Sequence, residues 1–167
     1  MKSFLITDQK QFMQKLLKSD LFDHFLLSEA SICAAISYEI DGHIHREFYG
    51  ADEPEAEELS DLEYLPFGRF RPTCFELIKG KHTPLSMKFV LMLSPDNLRN
   101  TLDKSQSGFT RQDIGAAFMN ITFKEGRMTL TSACSYKTFS MDHSFDQYWD
   151  GLVAKFLSQH EIPYDMK

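Results

Sequence analysis

The chain has 167 residues and a mass of 19.4 kDa, room for one domain or two small ones. Hydrophobic residues make up 43% and charged residues 25%, a balance that excludes a disordered chain, and 15 phenylalanines supply ample core material. The net charge of −6 is concentrated: Asp52, Glu53, Glu55, Glu57, Glu58, Asp61 and Glu63 stand together without a base, and the rest of the chain sums to +1, which excludes a histone-like DNA binder.

Residues 3–7 read as a short strand. Asp8 is then placed to cap a helix, with Gln11 in the capping-box position. From Gln9 to Lys18, Phe12, Met13, Leu16 and Leu17 fall on one arc, and Lys10, Gln11, Gln14, Lys15 and Lys18 on the other. LFDHFLL (21–27) extends this as a further helical turn. Residues 31–40 alternate and are rich in β-formers, so they predict a strand. Asp41-Gly42 signals a hairpin. A three-residue loop, Asp41-Gly42-His43, sets Ile40 opposite Ile44 and Ile36 opposite Phe48.

Residues 50–66 read as an acidic loop or a short solvated helix. In 67–84, CFELIK predicts two helical turns ended by Gly80. Residues 87–93 form an apolar run of buried-strand length. Ser94 and Pro95 suit the N-cap and first position of a helix reaching about Lys104. Residues 115–123 and 128–136 predict a hairpin whose turn at Glu125-Gly126 sets Phe123 opposite Met128 and Ile121 opposite Leu130. Ser144 and Gln147 are spaced as a capping box for an amphipathic helix running to about His160. The apolar arc of that helix is broad, which predicts packing on the sheet rather than a self-association seam.

Residues 3–49 and 87–137 each read as a β-α-β-β unit joined by 50–86, and FLITDQKQFMQKLLK and FVLMLSPDNLRNTLDK align loosely. Two such units related by a pseudo-two-fold predict an α+β fold in a single domain, 1–167. It would be an antiparallel sheet with the helices on one side, plus the C-terminal helix over 143–160.

This order of elements resembles one domain of the DNA polymerase processivity clamps. The resemblance implies basic helices lining a DNA channel, and the matching positions are Lys10, Lys15 and Lys18 on the first helix and Arg99 and Lys104 on the second. Where a clamp ring has six such domains, this chain supplies one. Separately, LIKGKHTP, the NITF hairpin and DQYWDGLVAKFL make the chain similar to a small family of bacterial cytosolic proteins with no assigned function. That likeness implies length and setting but no activity.

Few residues suggest chemistry. His43, His45 and Glu47 alternate as metal ligands can, but the register above puts them on a solvated strand face without a further ligand. His45-Arg46-Glu47 lacks the P-C-x-x-C that zinc deaminases require. Gly80-Lys81-His82-Thr83 fails as a phosphate loop, because Phe75 stands where the first glycine belongs and His82 separates lysine from threonine. Asn120-Ile121-Thr122 is a glycosylation sequon inside a predicted strand. No metal or cofactor is implied.

Cys33, Cys74 and Cys134 form no paired framework, which suits a reducing compartment. The first residues turn polar too soon for a signal peptide, and no apolar run approaches the roughly 20 residues of a membrane span, so a cytoplasmic protein with no membrane partner is expected. Cys33 and Cys134 read as core residues of strands. Cys74, near Arg69, Arg71 and His82, marks the position where a thiol pKa would be lowered.

Segment 67–84 is the most unusual. It carries Arg69, Arg71, Lys79 and Lys81 against Glu76 alone, interleaved with Phe67, Phe70 and Phe75, a mixture suited to phosphate contacts and base stacking. The simpler expectation is that the acidic run 52–63 folds against it and neutralises both. The acidic run would then also gate the basic segment against a nucleic acid. The leading reading is a non-enzymatic binding or assembly module, linked to DNA by the clamp resemblance, with nucleic acid or another protein as partner. The alternative is a small enzyme or ligand-binding protein with its site at Cys74, Arg69, Arg71 and His82.

Overall fold

A computed structural model describes residues 1–167. Seven strands form one antiparallel sheet: β1 (Ser3–Ile6), β2 (Leu26–Cys33), β3 (Ser37–Asp41), β4 (Ser86–Met92), β5 (Ile114–Lys124), β6 (Arg127–Tyr136) and β7 (Tyr164–Met166). Their order is β3-β2-β4-β5-β6-β1-β7. The helices are α1 (Gln9–Lys18), α2 (Pro54–Glu58), α3 (Phe67–Ile78), α4 (Pro95–Ser105) and α5 (Ser144–Gln159). The mixed α+β architecture agrees with the expectation from sequence.

Side chains alternate across a strand, so one face of the sheet collects the apolar residues. Paired positions Ala30, Phe89, Ile121, Leu130 and Phe4 line that face in a row from β2 to β1. Phe12 and Leu16 of α1, Phe67 and Cys74 of α3, Leu98 and Leu102 of α4, and Phe145, Trp149, Val153 and Leu157 of α5 join these strand residues in one cluster. The four longer helices therefore cover a single face. The opposite face presents Ser31, Lys88, Thr122 and Thr129, which pair across it. Asn120 of the sequon lies on that open face, beside Val90 and Thr131.

Several local expectations match. Asp8 caps α1 by accepting the Gln11 N–H at 3.0 Å, and Ser94 caps α4. The β5–β6 hairpin pairs Phe123 with Met128 and Ile121 with Leu130. Glu125 and Gly126 both take positive φ at its tip, as a two-residue turn requires. The acidic region contains the short α2, with all three of its glutamates exposed.

Other expectations are corrected. Residues 31–40 are not one strand. The chain turns through Ala34-Ala35-Ile36, where the Ala34 N–H reaches the Ile36 carbonyl at 3.0 Å, and returns as β3 with Cys33 opposite Ser37. No glycine, proline or asparagine marks that turn, so alternation ran straight through it. Residues 21–25 form turns, and β2 begins at Leu26 instead of a further helical turn.

Asp41-Gly42-His43 is consequently not a hairpin loop. The Gly42 N–H bonds to the Ser28 carbonyl, and the chain then pairs with 63–65 through Ile44–Glu63 and Leu65–Gly42 bonds. Ile36 and Phe48, expected to face each other, are 64% and 80% exposed. Helix α3 begins at Phe67, well before CFELIK, and runs through Pro72. Helix α5 begins with Ser144 as its first residue behind a His143 cap, and Asp142 accepts the Ser144 N–H, so no Ser144–Gln147 box forms. The pairing of the two β-α-β-β units does not repeat: β4 lies between β2 and β5, whereas β1 pairs with β6 and β7. No helix is long and apolar enough to cross a membrane.

Candidate binding groove

Helix α3 runs along the helical layer beside α1. It starts next to Leu26, which bridges to Pro66, and ends near the start of β4. Its far end faces the first turn of α1 and the β5–β6 hairpin across a shared pocket, and those two are joined where the Gln9 side-chain amide donates to the Gly126 carbonyl at 2.7 Å. Between these pieces lies a groove of about 470 Å³. That volume is within the roughly 300–1,000 Å³ of sites that hold small ligands.

The floor of the groove is apolar: Met13 and Leu17 from α1, Phe75 and Ile78 from α3, and Met87 and Met128 from the sheet. Lys10, Lys18, Lys79 and His82 stand among the lining residues, and no aspartate or glutamate does. Lys18 lies over the Phe75 ring, 5.6 Å from its centroid. Lys79 is paired with Glu76 at 2.7 Å, while Lys10 and Lys18 are exposed on the rim without a carboxylate partner. Such a lining is complementary to a group that is at once apolar and anionic. Three methionines, at 13, 87 and 128, let its floor adapt in shape.

The structure thus joins part of each basic set singled out from sequence, Lys10 and Lys18 of the first and Lys79 of the second. Lys15 and Lys81 do not line the groove. Arg99 pairs with Asp96 of its own helix at 3.5 Å, and α4, which also carries Lys104, packs on α5 while α1 packs on α3. Arg69 and Arg71 are engaged inside the chain. Arg69 reaches Glu58 of the acidic run, with Glu55 4.0 Å away. Arg71 holds Asp23 with its Nε at 2.7 Å and its Nη2 at 3.0 Å, which keeps its guanidinium pKa above the ordinary value. The internal neutralisation expected of the acidic run is therefore made by Arg69, whereas Arg71 takes a carboxylate that sequence distance concealed.

The cysteine site does not assemble. Cys74 is fully buried in the core, and desolvation pushes its thiol up to about 12, opposite to the lowering expected. Arg69 and Arg71 have the partners just described, and His82 sits exposed in the loop after α3. Cys134 is likewise pushed up, chiefly by burial and then by Asp146. Cys33 at the end of β2 is, like Cys134, only partly buried, so neither is the core residue expected.

The histidines also depart from the expected strand face. His43 touches Asp41 at 2.7 Å and lies 3.7 Å from Glu63, while His45 lies 3.7 Å from Glu47 in a 3-10 turn. The Asp41 carboxyl is held below its usual range by hydrogen bonds from the His43 backbone N–H and ring. No three acidic, histidine or cysteine side chains come close enough together to hold a metal ion.

Sequence reasoning missed the groove because its floor comes from four separate elements. Only the α1 arc, with Met13 and Leu17 beside Lys10 and Lys18, carried a readable part of it. No curated protein and no solved structure matches the chain. A family model does match, over residues 15–165, which includes the last turn of α1, all of α3 and every strand of the groove floor. By that match the chain belongs to the family of unknown function DUF5721.

Proposed function

We propose that this protein is a non-catalytic binding module whose groove between α1 and α3 holds an acidic, partly apolar segment of a protein partner. The observation that carries the reading is the lining itself: an apolar floor rimmed by lysines, two of them unpartnered, with no carboxylate among them. An amphipathic segment would set its apolar side on Met13, Leu17, Phe75 and Met128 and its carboxylates near Lys10 and Lys18. Three unpaired thiols fit a reducing, cytoplasmic setting for such a module.

Nucleic acid, the partner implied by the clamp resemblance, is the less favoured ligand. Arg69 and Arg71, the residues best suited to phosphate, are already engaged by Glu58 and Asp23. The test is fluorescence anisotropy with a labelled amphipathic peptide of alternating leucine and glutamate, beside single- and double-stranded DNA, over a salt series. The peptide is expected to bind, and Lys10→Glu with Lys18→Glu to weaken it by about tenfold or more. Binding of DNA in place of the peptide, falling steeply with salt, would overturn the reading.

A further inference from the structure

The groove has a counterpart on the same molecule. Residues 46–63 form a strap at the opposite end of α3, closed on itself where the Arg46 guanidinium donates to the Leu59 and Leu62 carbonyls and tied to the body where the Ile44 N–H donates to the Glu63 carbonyl at 3.0 Å. Leu59 is buried and Arg69 holds Glu58, so the strap is fastened to the body at several points. Above these anchors Phe48 projects 80% exposed. Asp52, Glu53, Glu57 and Asp61 are exposed as well, and none has a basic partner. The strap therefore offers an aromatic side chain beside unneutralised carboxylates, the combination that the groove is lined to receive.

The strap cannot reach the groove of its own chain. Arg69, which holds it, is in the first turn of α3, and Ile78, which lines the groove, ends that helix. A helix of 12 residues spans about 18 Å. The anchors keep the strap at the first of these ends.

We infer that copies of this protein associate head to tail, the acidic strap of one entering the lysine-rimmed groove of the next. This inference rests on the groove taking an acidic, partly apolar segment. Charge complementarity selects the occupant: the strap is the part of the chain that is strongly acidic, and the groove lining contains no acid to repel it. The two surfaces are different, so the contact is heterologous and each copy keeps one free half, which allows open chains to grow. A strap already fastened loses little freedom on docking.

The experiment is sedimentation of the full-length protein over a concentration series at low and high salt. Mass is expected to rise with concentration at low salt and to fall back when salt screens the charges. Two variants separate the halves: a groove variant, Lys10→Glu with Lys18→Glu, and a strap variant, Phe48→Ser with Glu53→Lys and Glu57→Lys. All five positions are at the surface, so each variant is expected to keep the wild-type thermal unfolding. Each variant alone is expected to be monomeric, and their equimolar mixture to form dimers and nothing larger, because one intact strap and one intact groove remain.

A wild type that stays monomeric at every concentration overturns the inference, and so does a mixture that fails to dimerise. A labelled peptide of residues 46–63 and the leucine–glutamate peptide keep this outcome distinct from the function itself. If the groove binds the leucine–glutamate peptide but neither the strap peptide nor a second copy, head-to-tail association is wrong and the groove reading stands. If it binds neither peptide, both are wrong.

Discussion

At position 42 a glycine serves a purpose that its neighbours in sequence disguise. Asp41-Gly42 has the composition of a tight turn, yet a Cβ on Gly42 would lie 1.7 Å from the Leu27 carbonyl oxygen, because the chain crosses β2 there at backbone contact distance. Gly42→Ala is therefore expected to destabilise the fold by about 1–3 kcal/mol or more, measured by urea unfolding. An unchanged midpoint would mean that this crossing is not present. Cys74 carries a second prediction at the same scale. Its thiol is pushed up to about 12 by burial, whereas the unfolded chain ionises it near the ordinary cysteine value of roughly 8.5. The folded state thus holds a proton that the unfolded state has lost between those values, so stability is full below about pH 8.5 and falls as pH rises. Each such thiol contributes a slope of about 1.4 kcal/mol per pH unit. Cys74→Ala should lessen the alkaline slope in urea unfolding between pH 9 and 10.5 by that amount, and an undiminished slope would argue against the burial.

Among the elements, α5 shows how much an amphipathic pattern determines. Its apolar arc predicted packing on the sheet, and Phe145, Trp149, Val153 and Leu157 are all buried there. Trp149 also donates its indole N–H to the Phe118 carbonyl at 2.9 Å, a bond to β5 that no periodicity reveals. Trp149→Ala is expected to cost about 3–5 kcal/mol and to lower the melting temperature by roughly 10 °C or more, as calorimetry would show. A soluble variant of unchanged stability would refute the placement. Asp150 on the same helix is buried and is satisfied by the Ser132 hydroxyl. Helix α3 teaches the opposite lesson. Pro72 argues against a helix through 67–78, yet Phe67 is held in the core and Arg71 is clasped by Asp23, and these tertiary contacts outweigh the lost backbone bond.

For the whole molecule, the sign of the charge varies along α3. The acidic strap lies at its start and the lysine-rimmed groove at its end, so a net charge of −6 conceals a polar arrangement. Such an arrangement makes both partner capture and head-to-tail association sensitive to salt, the strap and groove being exposed surfaces. It also explains why the acidic run only partly neutralises segment 67–84. Glu58 reaches Arg69 at the near end, while Lys79 at the far end is served by Glu76.

Sequence by itself determined what local physics controls. The caps at Asp8 and Ser94, the β5–β6 register and the inward face of α5 depend on neighbours a few residues away, and each was legible in spacing and side-chain type. Tertiary structure decided whatever joins residues distant in the chain. The turn at Ala34-Ala35-Ile36 carries no turn residue and exists because β3 pairs with β2. The clasp of Arg71 on Asp23 spans 48 positions. The groove draws its floor from α1, α3, β4 and the β5–β6 hairpin, and no spacing along one strand or helix specifies how four such elements converge.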